Sequence, residues 1–244
     1  MTKDKHMVTC FQNLQGEQLT ATDGAIGNIR DFYFDDQQWT VSYLIVELSN
    51  WLSSRNVLIP AELLGNVDPQ SKTVKAQVSR TQVKQSAPVA LKKPVSEQRR
   101  EQQNRRTKLY LVSIPSASKI SQTAHNRMMG SADSHLRSGA ELQSDYWVLG
   151  KDGDIGPIHD FVMDDQQWTV RYIMVNVGWW FSAKLVLVPP RFVDRISFNQ
   201  GAVATSLPAE VALNAPPYDA VTSFSEFEHR VADYWKQQDK KFED

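Results

Sequence analysis

Hydrophobic and polar positions alternate along this chain over short stretches divided by polar turns, the pattern of strands and not of long helices. The clearest case is a strand from Trp39 to Leu48, in which Trp39, Val41, Tyr43 and Ile45 share one face and Thr40 and Ser42 the other. Past Tyr43 the alternation ends, because Leu44, Ile45, Val46 and Leu48 place apolar groups on both faces. Trp168 to Val177 repeats this, with Arg171 facing outward and Ile173, Val175 and Val177 on the same side further along. A strand that is half-wet at one end and dry on both faces at the other predicts a contact with another body. Around the first of these strands the pattern predicts a strand Gln18 to Ala21, a tight turn at Asp23-Gly24, a strand Gly27 to Phe34 and a polar turn Asp35 to Gln38. After it come a strand Asn56 to Ile59 stopped by Pro60, a helical turn Ala61 to Leu64, a fifth strand Thr73 to Val78, a short turn Thr81 to Gln85, and closure at Pro88. Tyr110 to Ile114 could add a strand. Short strands at this spacing predict a mainly β fold, a small antiparallel barrel.

The stretch Asp23 to Pro60 recurs without a gap 129 residues later, as Asp152 to Pro189. About half the positions are identical, and Asp35 to Val41 returns unchanged as Asp164 to Val170. The expected organisation is therefore one barrel over residues 11–90, a basic and polar linker over 91–132, a second barrel over 133–219, and a C-terminal helix and tail over 220–244. The helix is expected to open at a capping box, Ser223-Phe-Ser-Glu226, and to carry an apolar stripe of Phe227, Val231, Tyr234 and Trp235.

Composition narrows the class. An apolar fraction of 41% and seven Trp suffice for two cores of this size. A net charge of -1 gives no overall pull toward nucleic acid or an anionic membrane. One cysteine, Cys10, excludes an intrachain disulfide and suits a reducing compartment. With no apolar leader and no run near the roughly 20 residues of a membrane span, a cytoplasmic protein is expected.

The Asp-Gly-x-Ile-Gly-x-Ile-x-Asp-Phe stretch from Asp23 and from Asp152, the Asp-Asp-x-x-Trp-Thr-Val-x-Tyr hairpin and the closure at Pro60 and Pro189 resemble the PRC-barrel domain. The run Asp133-Ser134-His135-Leu136-Arg137-Ser138 resembles the Asp-Pro-His-Leu-Arg-Ser run of tandem bacterial PRC-barrel proteins, with Ser134 in place of Pro. The resemblance implies two tandem barrels similar to the cytoplasmic domain of the photosynthetic reaction centre H subunit and to the C-terminal domain of the ribosome maturation factor RimM. The chain as read shows neither the H subunit's membrane helix nor RimM's N-terminal domain. The resemblance thus implies a fold and neither activity.

Candidate chemistry is sparse. Asp35-Asp36 and Asp164-Asp165 have the oxygen donors of a hard-cation site, but without a third acidic ligand at fixed spacing they read as turn residues bonding local backbone. Asp31 and Asp160, unusual inside strands, read as side chains bonded to backbone at a bulge. The histidines share no metal-ligand spacing with each other or with Cys10, and no nucleophile–base pair can be nominated. No catalytic residue, metal or cofactor is expected. Arg99, Arg100, Arg105, Arg106 and Lys108 form a candidate anion-binding strip, diluted by Glu97 and Glu101 and lacking an aromatic to stack on bases. The candidate interaction surface is the aromatic turn with its flanking strands: Trp51 and the matching Trp180, the additional Trp179, Leu44 and Val46, and Ile173 and Val175. Packing of the two dry faces on each other, with Trp179 at the seam, is one expectation; pairing between chains in a homodimer is the other. The function expected is a non-enzymatic interaction or assembly scaffold with a protein partner. The alternative is a ribosome-assembly or RNA-associated factor, with nucleic acid as the less favoured partner and no integral membrane span.

Overall fold

The structure, a computed structural model, describes residues 8–48, 55–68, 71, 73–89, 109–111, 135–178, 183–219 and 224–242. It is mainly β, with an extensive sheet, a few short helices and one long helix at the C-terminal end. The strands are β1 (Val8–Cys10), β2 (Gln18–Ala21), β3 (Gly24–Asp35), β4 (Thr40–Leu48), β5 (Arg55–Pro60), β6 (Leu64–Val67), β7 (Val74–Ala76), β8 (Ala87–Val89) and β9 (Leu109–Leu111). They continue as β10 (Leu136–Ser138), β11 (Trp147–Leu149), β12 (Asp154–Asp164), β13 (Thr169–Val177), β14 (Lys184–Val188), β15 (Val193–Ser197) and β16 (Ala202–Thr205). The helices are α1 (Phe11–Leu14), α2 (Arg80–Lys84), α3 (Gly139–Asp145), α4 (Ala209–Leu213) and α5 (Phe224–Phe242). Among the described residues no helix is long and apolar enough to cross a membrane.

The chain divides into two compact units. One is Met1–Ala140 with Asp164–Thr169; the other is Glu141–Met163 with Val170–Asp244. In the first, hydrogen-bonded strands run in the order β6-β7-β2-β3-β4-β5, and β9 and β8 follow on from β5. The second carries β15-β16-β11-β12-β13-β14. Each strand of the second order begins at or within a residue or so of 129 residues after its counterpart in the first. In both, one pair is parallel: β2 with β7, and β11 with β16. Gly27 and Gly156 sit where the neighbouring strand crosses closest, since a Cβ at either would overlap the carbonyl oxygen of Glu47 or Asn176.

The strands lie close to where the hydrophobic pattern puts them. The expected turn at Thr81 to Gln85 is instead α2, opened by a capping box. Gln82 N donates to Ser79 Oγ at 3.2 Å and Ser79 N donates to Gln82 Oε1 at 2.7 Å. The chain does not close at Pro88, which lies within β8 and pairs with Tyr110 of β9. The boundary expected at residue 133 also shifts. Residues through Ala140 group with the first unit, because β10 runs along β3. The proposed capping residue Ser223 lies outside the described residues; of the stripe it would precede, Phe227, Val231 and Trp235 are buried and Tyr234 is half-buried.

The doubly dry strands are buried on both faces. Directly opposed residues share a face, so Leu44 lies with Phe32 and Ile59, and Val46 with Ile29 and Val57, all six without exposed surface. Ile173 and Val175 lie likewise opposite Val188 and Val186, again without exposure. These four aliphatic residues, expected at an interaction surface, are core positions. The opposite face in the first unit carries Tyr33, Tyr43, Ile45 and Leu58, and Leu136 of β10 joins them in one apolar cluster. In the second unit α5 packs against β14 and the turn that follows it, with Trp235 Nε1 donating to Leu187 O at 2.8 Å and its ring 5.1 Å from Phe192. Glu228 of the same helix pairs with Arg171 and lies 3.5 Å from the Tyr172 hydroxyl.

Candidate functional site

The repeated carboxylates are spent on backbone. Asp23 Oδ1 accepts from Arg80 N at 2.7 Å, and Asp152 Oδ1 from Ala209 N at 2.6 Å, each tying the turn between two strands to the start of a short helix. Asp31 Oδ1 accepts from Phe32 N, and Asp160 Oδ1 from Phe161 N, both at 2.7 Å. In the first unit a β-bulge lies at this point, between Ile29 and Asp31. Asp35 Oδ1 collects the amides of Gln37 and Gln38 at 2.8 and 2.9 Å, and Asp164 Oδ1 those of Gln166 and Gln167 at 2.9 Å each. Those of Asp31, Asp160, Asp35 and Asp164 are the local bonds expected of aspartates in a turn or bulge.

Both hairpins turn through a tryptophan in the left-handed region, Trp39 at φ 55° and Trp168 at φ 50°. A side chain there costs about 1–2 kcal/mol relative to the right-handed form. In the first unit the offset is packing: the Trp39 ring stacks at 5.2 Å on Phe34, which sits beside Phe32, itself edge-on to Phe11 at 4.7 Å.

Asp36 departs from this local pattern. Its amide donates to His135 O at 2.9 Å, its Oδ1 meets His135 Nδ1 at 2.9 Å, and its Oδ2 meets Arg137 Nη2 at 2.7 Å. The other ring nitrogen of His135 faces the Gln37 amide nitrogen at 3.2 Å, so Nδ1 carries the proton toward Asp36 and Nε2 accepts. The Asp36 side chain is only 10% exposed. Burial pushes its carboxyl above the ordinary range, against the downward pull of the Arg137 guanidinium and of His135.

The grip continues along the segment His135–Ala140. β10 pairs antiparallel with the β3 edge, Leu136 opposite Asp35, Arg137 opposite Phe34 and Ser138 opposite Tyr33. That edge is vacated where β2 ends, since β2 pairs only with Gly24 to Asn28 of β3. Leu136 enters the Tyr33, Tyr43, Ile45 and Leu58 cluster, and Ser138 Oγ donates to Asp31 Oδ2 at 2.6 Å. Ala140 N donates to Asp31 Oδ1 at 2.8 Å. Between them Gly139 passes so close to Phe32 that a Cβ would overlap the ring. Five consecutive residues therefore each meet a matching group: carboxylate, apolar pocket, carboxylate, carboxylate, bare ring. The segment is a strap, and its seat is the candidate site. Its chemistry is recognition of an extended chain by edge pairing with alternating side-chain receptors.

Asp165, at the place equivalent to Asp36, is held differently. Its Oδ2 accepts from Val67 N at 3.0 Å, while its Oδ1 and the Trp168 indole N–H are buried without a hydrogen-bond partner among the described residues. Burial raises its carboxyl, helped by the charge of Asp164 and opposed by the Val67 amide. In the same six-residue segment, Trp168 O accepts from Val41 N at 2.7 Å and Thr169 pairs with Thr40.

Of the surface expected from sequence, Trp51, Trp179 and Trp180 lie outside the described residues, as do Arg99, Arg100, Arg105, Arg106 and Lys108. Among the described residues no three His, Cys, Asp or Glu side chains gather as a metal-binding group. Sequence reasoning passed over the Asp36, His135 and Arg137 constellation. Its one available signal was the His135 to Ser138 run, which carried a resemblance and no assigned contact. No curated protein matches the chain. Residues 12–83, from within α1 to within α2, match the family model of the PRC-barrel domain.

Proposed function

We propose that the chain is a non-enzymatic interaction or assembly scaffold built from two PRC-type barrels, similar in design to those of the reaction centre H subunit and RimM. The common strand order of the two units supports the duplication, beside the family match at residues 12–83. One observation carries the non-enzymatic reading. The carboxylates common to both copies, at 23 and 152, 31 and 160, and 35 and 164, accept backbone amides in the same way. Groups committed to holding backbone are poor candidates for proton transfer, which needs a carboxylate free to meet a substrate. The work of such a protein is to present surface to a protein partner. The test is affinity capture of the tagged chain from its own cell lysate, with nuclease-treated and untreated arms at rising salt. A defined protein retained in both arms, with little loss as salt rises, is the expected result. Capture that disappears on nuclease treatment and falls steeply with salt overturns it in favour of the RNA-associated alternative.

A further inference from the structure

The strap seat is more specific than chain connectivity requires. A segment that only led from one unit to the next would need neither two side chains on one buried carboxylate nor a glycine-sized gap. Here the β3 edge reads a sequence: imidazole and guanidinium on the two oxygens of Asp36, an aliphatic side chain between them in the Tyr33, Tyr43, Ile45 and Leu58 pocket, a hydroxyl and an amide on Asp31, and no side chain over Phe32. Positions alternate between receptors on the two sides of the strand, which is how added strands are recognised at sheet edges. We propose that this edge is a strand-recognition site with the chain's own residues 135–140 as its intramolecular ligand, and that the strap of a second copy of this chain exchanges into it.

The choice of occupant follows from complementarity. The strap is the one sequence known to satisfy every receptor of the seat, and a second copy brings the same sequence. Contacts made in trans would be identical to those made in cis, so the two differ only in concentration. For two groups joined by a short flexible linker the effective concentration in cis is on the order of millimolar. The seat is therefore held in cis in dilute solution and exchanges in trans as the concentration of chains approaches that figure. This inference deepens the scaffold reading by naming a site of self-assembly. Its test uses purified chain alone, so its failure would leave capture of a different protein from lysate untouched.

The test reverses one charge pair. Asp36→Arg spoils the seat and leaves the strap intact, whereas Arg137→Asp spoils the strap and leaves the seat intact. Alone, each variant sets like charges against each other. Mixed, they match in both directions across two chains, since each strap finds an opposite charge in the other chain's seat. The measurement is energy transfer between full-length chains fused to donor and acceptor fluorescent proteins, cross-pair against self-pair. At least tenfold tighter association of the cross-pair is expected, abolished when both changes stand in one chain, where the match is restored in cis. Equal association of cross-pair and self-pairs, with circular dichroism showing both variants folded, overturns the proposal. Should either reversal fail to fold, the milder pair Asp36→Asn and Arg137→Gln is read in the same assay. There a labelled peptide of residues 133–140 must bind Arg137→Gln at least tenfold tighter than Asp36→Asn, and equal or absent binding overturns the proposal.

Discussion

Leu136→Ala isolates the apolar part of the strap from its polar grips. Leu136 is 2% exposed and shares its cluster with Tyr33, Tyr43, Ile45 and Leu58. Truncation removes three carbons, which at about 0.8 kcal/mol per buried methylene is roughly 2.4 kcal/mol of lost transfer energy. A cavity term adds to this if the pocket cannot collapse, and Leu→Ala changes in well-packed cores reach about 5 kcal/mol. Two features bear on collapse here. Tyr33 and Tyr43 belong to paired strands and cannot move inward without disturbing the β3–β4 register. The strap also cannot sink to fill the gap while Asp36 holds His135 and Arg137, and Asp31 holds Ser138 and Ala140. A loss of about 3–4 kcal/mol is therefore expected, above the transfer term alone. Urea unfolding of the full chain, followed by tryptophan fluorescence, measures it as a drop in the midpoint of the first unit's transition. Adding Asp36→Asn should cost less in this background than in the wild type, because a strap already loosened has less to lose. A loss below about 0.5 kcal/mol would mean that the strap unfolds separately from the sheet it lies on, and would refute the reasoning.

Asp31→Ala leaves Phe32 N, Ala140 N and the Ser138 hydroxyl without their acceptor. A partly buried site losing three donors' partner should cost about 2–4 kcal/mol, with faster hydrogen exchange at Ala140 as its specific sign. Trp39→Gly relieves about 1–2 kcal/mol of left-handed strain but gives up a stacked, buried ring worth about 3–5 kcal/mol, so a net loss of about 1–4 kcal/mol in thermal unfolding is expected. Asp165→Asn tests the sign of a pH effect. The native carboxyl is raised by burial, so its contribution to stability is full below the ordinary carboxylate range and is lost as pH rises through the native value. The Asn variant should therefore gain on the wild type between acid and neutral pH, and a difference in stability that does not change with pH would refute the assignment.

What the sequence made legible was local. Period two located β3, β4, β5 and their counterparts because one face of each strand is wet over part of its length, as at Ser42 and Arg171. The aspartate at a bulge and the aspartate in a turn were readable because each bonds an amide one to three residues away. Even α2 had a written signal in Ser79 and Gln82, though five residues give too little periodicity to separate a helix from a turn. The candidate site was not local. Asp36 meets His135 across 99 residues and Asp31 meets Ala140 across 109, and no spacing rule connects them. The neighbours of the doubly dry strands are distant in the same way. Leu44 to Val46 and Ile173 to Val175 showed that both sides of a strand are dry, which demands a cover without naming it. Leu136, 91 residues beyond Ile45, comes from a strand of three residues, too short to carry a period, and Trp235, 48 beyond Leu187, comes from a helix whose apolar stripe is legible while the strand it meets is not. A hydrophobic period counts dry faces, while the identity of the side chain that dries each one is set by topology. For that reason the strap, six residues in a stretch that reads as linker and domain start, holds more of this protein's recognisable chemistry than the repeats that drew attention to it.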